Sequence, residues 1–312
     1  MANTEMRGVL YEALMDEMAK NPKIAVIDAD LAGCNGTLKI RNTYPDRAFD
    51  VGIAEQNMAG MAAGMASMGM IPFIGSFTPF ATRRICDQIA ISIAYTKSNV
   101  KIIGSDPGIT AQLNGGTHMS VEDLGVIRSI PDIVIYEPVD ETQFRQALPQ
   151  IIAYDGPVYI RMFRKVIDDV FTAPDYKFDL FKADTVKTGK DVTVFASGIM
   201  VQESVKALEL LKAEGIDAEL VNIHTLKPID TEAVIASAKK TGAVVVADNH
   251  NVIGGLCSAV SEVLSQYCPT VTRFVGIKDR FGQVGKLPFL LEEYEMTAKH
   301  IAEAAKDAIA NK

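Results

Sequence analysis

The sequence predicts an α/β protein of two domains, each a mainly parallel sheet flanked by helices. Strand-like apolar runs alternate with helix-like patterns over residues 23–163, then the pattern breaks and resumes at residue 191. Alternation of this kind packs as a parallel sheet with helices on both faces. The break, "KVIDDVFTAPDYKFDLFKADTVKTGK" (165–190), is charged and aperiodic, as an interdomain connection is. At ~100–200 residues per domain, a 312-residue chain holds two. The expected division is a first domain over 1–165, a linker over 166–190 and a second, smaller domain over 191–312.

In the first domain "KIAVIDAD" (23–30), "RAFDVGI" (47–53), "MIPFIGSF" (70–77), "VKIIGSD" (100–106), "DIVIYEP" (132–138) and "PVYIRMF" (157–163) read as buried strands. Each is a short apolar run bounded by turn residues. Helical patterns fall between them near 55–69, 79–96, 121–127 and 140–154. The second domain shows strands at 191–197, 217–223, 243–249 and 270–277, with helices near 200–214, 231–241, 255–267 and 297–310. Ligands of open α/β sheets gather beyond the carboxyl ends of the strands, so the strand-end loops are where chemistry is expected.

Composition narrows the class. A net charge of −8 with scattered Lys and Arg gives no electrostatic footprint for nucleic acid. The four cysteines, Cys34, Cys86, Cys257 and Cys268, lack metal-site spacing, and a reducing cytoplasmic setting is expected. The N-terminus "MANTEMRGVLYEALMDEM" carries acids and no apolar core, so it reads as neither a signal nor a transit peptide.

The stretch "IAEQNMAGMAAGMASMGMIPFIGSFTPFAT" (53–82) has one charged side chain, Glu55. It is long enough to be tested as a membrane span, but Pro72, Pro79, several glycines and hydroxyl residues interrupt it. A buried soluble segment is expected. With a helix starting at Glu55, Met58, Met61, Met65 and Met68 form one stripe, while Gly60, Gly64, Ala59 and Ala63 leave other faces nearly smooth. Gly in mid-helix costs roughly 1 kcal/mol relative to Ala, which makes sense where something packs close to the backbone. An acid at a helix N-terminus is common and stabilised by the dipole. Glu55 is set apart by its apolar surroundings, where a carboxylate needs a partner or a raised pKa. Phe77 and Phe80 follow on the next strand-end loop. A carboxylate beside aromatic faces suits a flat heterocycle with a protonatable nitrogen.

Taken together, "DADL" (28–31), "FDVGIAEQNMAGMAAGMA" (49–66), "SFTPFATRRICDQI" (76–89), "GGTHMSVEDLGVIRSIPDIVI" (115–135), "HTLKPID" (224–230) and "NHNVIGGLCSAV" (249–260) resemble transketolase in content and order. The resemblance covers nearly the whole chain and corresponds to the pyrimidine-binding and C-terminal domains of that family, with the thiamine diphosphate-binding fold. The family's first domain carries a GDG-type motif for Mg²⁺ and diphosphate; this chain has none. The resemblance therefore implies a split enzyme whose partner, an N-terminal subunit, supplies the diphosphate and metal site, with α₂β₂ as the expected assembly.

By the same resemblance, Glu55 is the carboxylate that bonds N1′ of the cofactor's aminopyrimidine and favours the tautomer that deprotonates thiazolium C2. Phe77 and Phe80 correspond to aromatic residues around the pyrimidine, where stacking adds to burial. Arg83 stands where the family often has a third ring. Asp30 and Leu31 fall where the family contacts the cofactor across the dimer, and Ile53 matches an apolar pocket position. His118 in "GGTH" corresponds to a histidine at the substrate's reacting carbons, implying hydrogen bonding and proton transfer. Arg7 and Arg161 occupy positions that clamp a sugar phosphate, work that suits the planar guanidinium fork. For Arg7 an ordinary surface ion pair competes with that role.

Three substrate-side positions depart from the family pattern. Cys34 replaces a phosphate-contacting serine, Asp106 in "GSDPGIT" a histidine, and Asn114 in "QLNGGTH" an aspartate. A thiol is a weaker donor, and a carboxylate repels phosphate. The expectation is two-carbon ketol transfer from a ketose, with an unusual or modified donor sugar. In the second domain, "NHNVIGGLCSAV" lacks phosphate-loop spacing, and His224 and His250 read as structural or subunit-contact residues. Two rivals stand beside this reading. The β-subunit of a thiamine-dependent 2-oxo acid dehydrogenase shares the layout and would release CO₂. A non-catalytic scaffold would bind no cofactor.

Overall fold

The computed structural model describes residues 5–312. All six expected strands of the first half form: β1 (Ile24–Asp28), β2 (Ala48–Asp50), β3 (Ile71–Phe77), β4 (Lys101–Ser105), β5 (Val134–Tyr136) and β6 (Val158–Met162). They pair in parallel in the order β5-β6-β4-β3-β1-β2. β1, β3, β4, β5 and β6 are buried along their whole length, which is why they are continuous apolar runs rather than alternating ones.

The second half gives β7 (Asp184–Lys187), β8 (Val192–Ala196), β9 (Ala218–Asn222), β10 (Thr225–Lys227), β11 (Ala243–Asn251) and β12 (Val271–Ile277). Its own sheet runs β12-β11-β8-β9-β7, parallel except for β7 at the edge. β10 instead crosses to the first sheet and pairs antiparallel with β5. The motif "HTLKPID" thus stitches the two halves together.

Several expectations change in detail. The segment 165–190 is not a free linker: it contributes β7, and Phe178 and Leu180 are buried. Asp140 accepts from the N–H groups of Val170 and Phe171 at 2.8 and 2.7 Å, which ties the segment to the first domain. The helical pattern at 79–96 breaks into a short helix Thr78–Ala81, a 3₁₀ turn Arg83–Ile85 and a π-helical run Gln88–Ala94. Among the described residues, four α-helices, Met6–Lys20, Ala32–Asn35, Leu38–Thr43 and Leu287–Glu293, and the 3₁₀ run Gly108–Asn114 lie outside the expected set. The stretch 53–82 divides into the helix Glu55–Ser67 and β3. Among the described residues no helix is long and apolar enough to cross a membrane.

The stripe on helix Glu55–Ser67 runs from core to surface. Met58 is fully buried, Met61 and Met65 pack against the core, and Met68 is exposed. Gly60 and Gly64 face open space.

Candidate active site

Glu55 starts the helix after β2 and is 3% exposed. Its Oε1 accepts from Arg84 Nη1 at 2.7 Å and, more weakly, from Ser76 Oγ at 3.5 Å. Phe77 ends β3, and Phe80 lies one turn on, in the helix opened by Pro79. Thr78 Oγ1 donates to the Ser105 carbonyl at 2.9 Å, which holds this turn against the end of β4. The two rings meet edge to face at 6.4 Å, and the His118 ring packs against both, at 5.6 and 5.2 Å. A buried carboxylate, two aromatic rings and an imidazole therefore converge at the carboxyl edge of one sheet. Such a group offers a flat ligand one acceptor, two apolar faces and one titratable nitrogen.

Polar anchors fix the floor. Asp28 Oδ2 accepts from Thr37 Oγ1 at 2.6 Å, and Asn35 bridges Asp28 and Ser105 at 3.4 and 3.0 Å. A Cβ on Gly75 would lie 3.2 Å from Asn35 Nδ2, so this close approach depends on glycine. Burial pushes the Asp28 carboxyl up to about 6, against the bonds from Thr37 and Asn35.

The other expected positions divide. Asp30 and Leu31 follow β1; Asp30 is exposed, with its N–H donated to Asp50 Oδ1 at 2.9 Å. Ile53 is 76% exposed on the loop before Glu55. Asp106 is buried at the end of β4 and paired with Arg164. Cys34 is half-buried, and its carbonyl faces Arg164 Nη1 at 3.4 Å. Asn114 is exposed on the loop that carries His118. Arg7 lies in the first helix, paired with Glu5.

Two assignments require correction. Arg161 is fully buried, with its guanidinium committed to Asp123 and Glu137 at 2.7 Å and to the Asn249 carbonyl at 2.7 Å. Four of its five N–H donors are taken and none of its surface is open, so no face is offered to a sugar phosphate and it is a structural ion-pair centre. Arg164, past the carboxyl end of β6, is the arginine beside the site, 5.0 Å from the Phe77 centroid. The strand-end rule favours it over a residue inside the strand. Arg83 turns away to Glu122, where a cavity of about 220 Å³ is bounded by Asn251, Arg280 and Phe281. The guanidinium over Phe80 belongs to Arg84, at 3.8 Å. The two lie four residues apart, across the break at Thr82 between the helix and the 3₁₀ turn.

Sequence reading also misses Asn249. From β11 its Oδ1 accepts the Ile109 N–H at 3.0 Å and its Nδ2 donates to the Pro107 carbonyl at 2.9 Å. Gly108, at φ +54, has no room for a Cβ against Asn249. The second domain thus grips the root of the loop that carries His118.

Comparison with known proteins agrees with this geometry. The family model of the transketolase pyrimidine-binding domain matches residues 2–168, and that of the transketolase C-terminal domain matches 181–301. A 6-deoxy-6-sulfo-D-fructose transketolase subunit from Clostridium sp. (strain MSTE9) is 50% identical, over 98% of this chain and 95% of its own. An apulose-4-phosphate transketolase subunit from Phocaeicola vulgatus is 31% identical over 99% of both chains. A split-gene transketolase, solved as an inactive beta4 tetramer, superposes with a TM-score of 0.89 at 40% identity, covering 99% of each chain. The chain belongs to the transketolase family, as a subunit built of its pyrimidine-binding and C-terminal domains, and is a transketolase-type transferase.

Proposed function

We propose that this subunit, joined to an N-terminal subunit holding Mg²⁺ and the diphosphate, binds the pyrimidine half of thiamine diphosphate and moves a two-carbon ketol unit from a modified ketose to an aldose. The observation that carries the reading is Glu55, a buried carboxylate whose partner Arg84 lies over the Phe80 ring, itself packed with Phe77 and His118. When bound, thiamine diphosphate supplies the carbanion chemistry that side chains lack. Glu55 holds a proton at the pyrimidine nitrogen, in surroundings that strengthen the hydrogen bond. Phe77 and Phe80 orient the ring and exclude water. His118 donates to the ketose oxygen and exchanges a proton with it.

The donor is a ketose with a modified end, of the kind named for the Clostridium relative. That chain's 50% identity and the altered positions Cys34, Asp106 and Asn114 support this choice. The open faces of Gly60 and Gly64, with Met68, Ile91 and Tyr95 each more than half exposed, support close packing against a neighbouring subunit in an α₂β₂ heterotetramer. The charge balance and free cysteines fit a cytoplasmic enzyme.

The test is co-purification with the N-terminal partner, then a screen of ketose donors with Mg²⁺ and thiamine diphosphate. Ketol transfer that disappears in Glu55→Ala supports the reading. Undiminished transfer by that variant refutes the role of Glu55.

A further inference from the structure

Five charged side chains gather where β4 and β6 end. Arg164 donates from Nε to the Asp106 carboxylate and from its backbone N–H to Asp106 Oδ1 at 3.3 Å. Its guanidinium carbon stands 5.0 Å from the Phe77 centroid, so the pair borders the ring that packs against His118. Arg7 adjoins it: the Arg7 N–H donates to the Arg164 carbonyl at 3.0 Å, and the Arg7 guanidinium is paired with Glu5. Lys165 is exposed and acts on Asp106 through its charge. Three cations against two carboxylates leave one net positive charge.

Asp106 is held in place to do this. It is 1% exposed, so solvent screens its charge little. Its φ of 53° is a backbone conformation that only Gly, Asn and Asp adopt readily. The guanidinium keeps donors to spare, since arginine has five, but the charge it offers to a ligand is halved by its neighbour.

We propose that Asp106, with Glu5, tunes this cluster to a ketose whose far end bears a single permanent negative charge, a sulfonate, and disfavours a phosphate monoester. The inference rests on the ketol-transfer reading. A phosphate monoester carries about −1.5 to −2 near pH 7 and overmatches one net positive charge, with its second charge beside the Asp106 carboxylate. A sulfonate carries one charge at any working pH and three acceptor oxygens for the donors left on Arg164 and Arg7. If Asp106 merely oriented Arg164, removing its charge would weaken both donors alike; a charge filter changes their ratio.

The experiment uses the assembled enzyme with Mg²⁺, thiamine diphosphate and two ketoses that differ only at C6, 6-deoxy-6-sulfo-D-fructose and D-fructose 6-phosphate. Wild type is expected to favour the sulfonate in kcat/KM by at least tenfold. Asp106→Asn, which tolerates the positive φ, is expected to lower that preference at least tenfold. Glu5→Gln, at the exposed rim, should shift it the same way by a smaller factor, and decides the matter if Asp106→Asn fails to fold. A wild-type preference for phosphate, or a ratio unchanged within twofold in the variants that fold, overturns the charge filter while ketol transfer stands. Absence of transfer from either donor overturns the ketol reading and this inference with it.

Discussion

Arg84 donates to Glu55 at 2.7 Å while its guanidinium carbon lies 3.8 Å from the centroid of the Phe80 ring. One flat cation thus bonds the buried carboxylate and stacks on the adjacent aromatic face, as guanidinium groups do. These are the two contacts expected of the cofactor's aminopyrimidine. On the proposed reading, Arg84 and the aminopyrimidine compete for the same two partners, and the Arg84 side chain is 42% exposed, which leaves it a way out.

Replacing Arg84 by Ala should therefore destabilise the cofactor-free enzyme by about 1–3 kcal/mol, the cost of a buried polar group left without its partner. Thiamine diphosphate should restore more stability to the variant than to wild type. Thermal shifts of the assembled enzyme with and without cofactor check this. An identical cofactor-induced shift in both proteins would show that Arg84 and the pyrimidine do not share a seat.

The two arginines of "YIRMFR" should separate cleanly. Arg161 holds Asp123 and Glu137 and reaches the Asn249 carbonyl of the second domain. Arg161→Ala strands two buried carboxylates, and breaking a buried pair costs about 3–5 kcal/mol. Arg164 is only partly buried and holds one buried carboxylate, Asp106, rather than two, so Arg164→Ala should cost less stability than Arg161→Ala but raise KM for an anionic ketose. Denaturant midpoints and steady-state kinetics on both variants measure the contrast; comparable stability losses would refute the division of labour.

Asn249 acts across the domain boundary. Loss of its paired bonds to Pro107 and Ile109 should let the loop drift, and displacement of positioning groups by ~1 Å can cost about 10²-fold in rate. Asn249→Ala is expected to lower kcat/KM by ten- to a hundredfold with cofactor affinity unchanged. Asn249→Asp keeps an acceptor for Ile109 but no donor for Pro107, and should fall between. A matching loss of cofactor affinity would instead indicate general loosening of the fold.

What is legible in the sequence follows from what each signal measures. Fully buried strands such as Ile71–Phe77 and Lys101–Ser105 announce themselves as apolar runs. The residues at their carboxyl ends, Phe77 and Asp106 among them, can be sought by rule. The edge strand Asp184–Lys187 has only half-buried and exposed residues, so it lacks the apolar signal. The crossing of Thr225–Lys227 to the first sheet is a tertiary event that no local pattern encodes. Arg161 is misassigned from sequence because burial of a cation is decided by carboxylates at Asp123 and Glu137, distant along the chain. Arg83 is assigned to the pocket by its position in the motif, but adjacent residues on a tight turn face different ways, and only the contacts of Arg84 to Glu55 and Phe80 tell the two apart.

Two buried groups give stability opposite pH slopes in the same window. The Asp28 carboxyl, pushed from 3.8 to about 6 by burial, stays protonated in the folded protein where the unfolded chain has ionised. Between about pH 4 and 6 the folded state binds more protons, so this group makes stability fall as pH rises. Burial lowers His224 from 6.5 to about 4; there the unfolded state binds more protons, and stability rises with pH through that interval. The two largely cancel in wild type. In Asp28→Asn the first contribution is absent, so stability relative to wild type should climb from pH 4 to 6.5 by roughly 3 kcal/mol, the equivalent of about two pKa units, and then level off. The amide can keep its oxygen toward Asn35 Nδ2 and turn its NH₂ to Thr37 Oγ1, a hydroxyl that accepts as well as donates. The cost of that exchange shifts the variant by a constant and leaves the slope untouched, so denaturation series at several pH values read the Asp28 contribution directly. A difference between the two proteins that stays flat across the window would mean that Asp28 is already ionised in the folded state at pH 4.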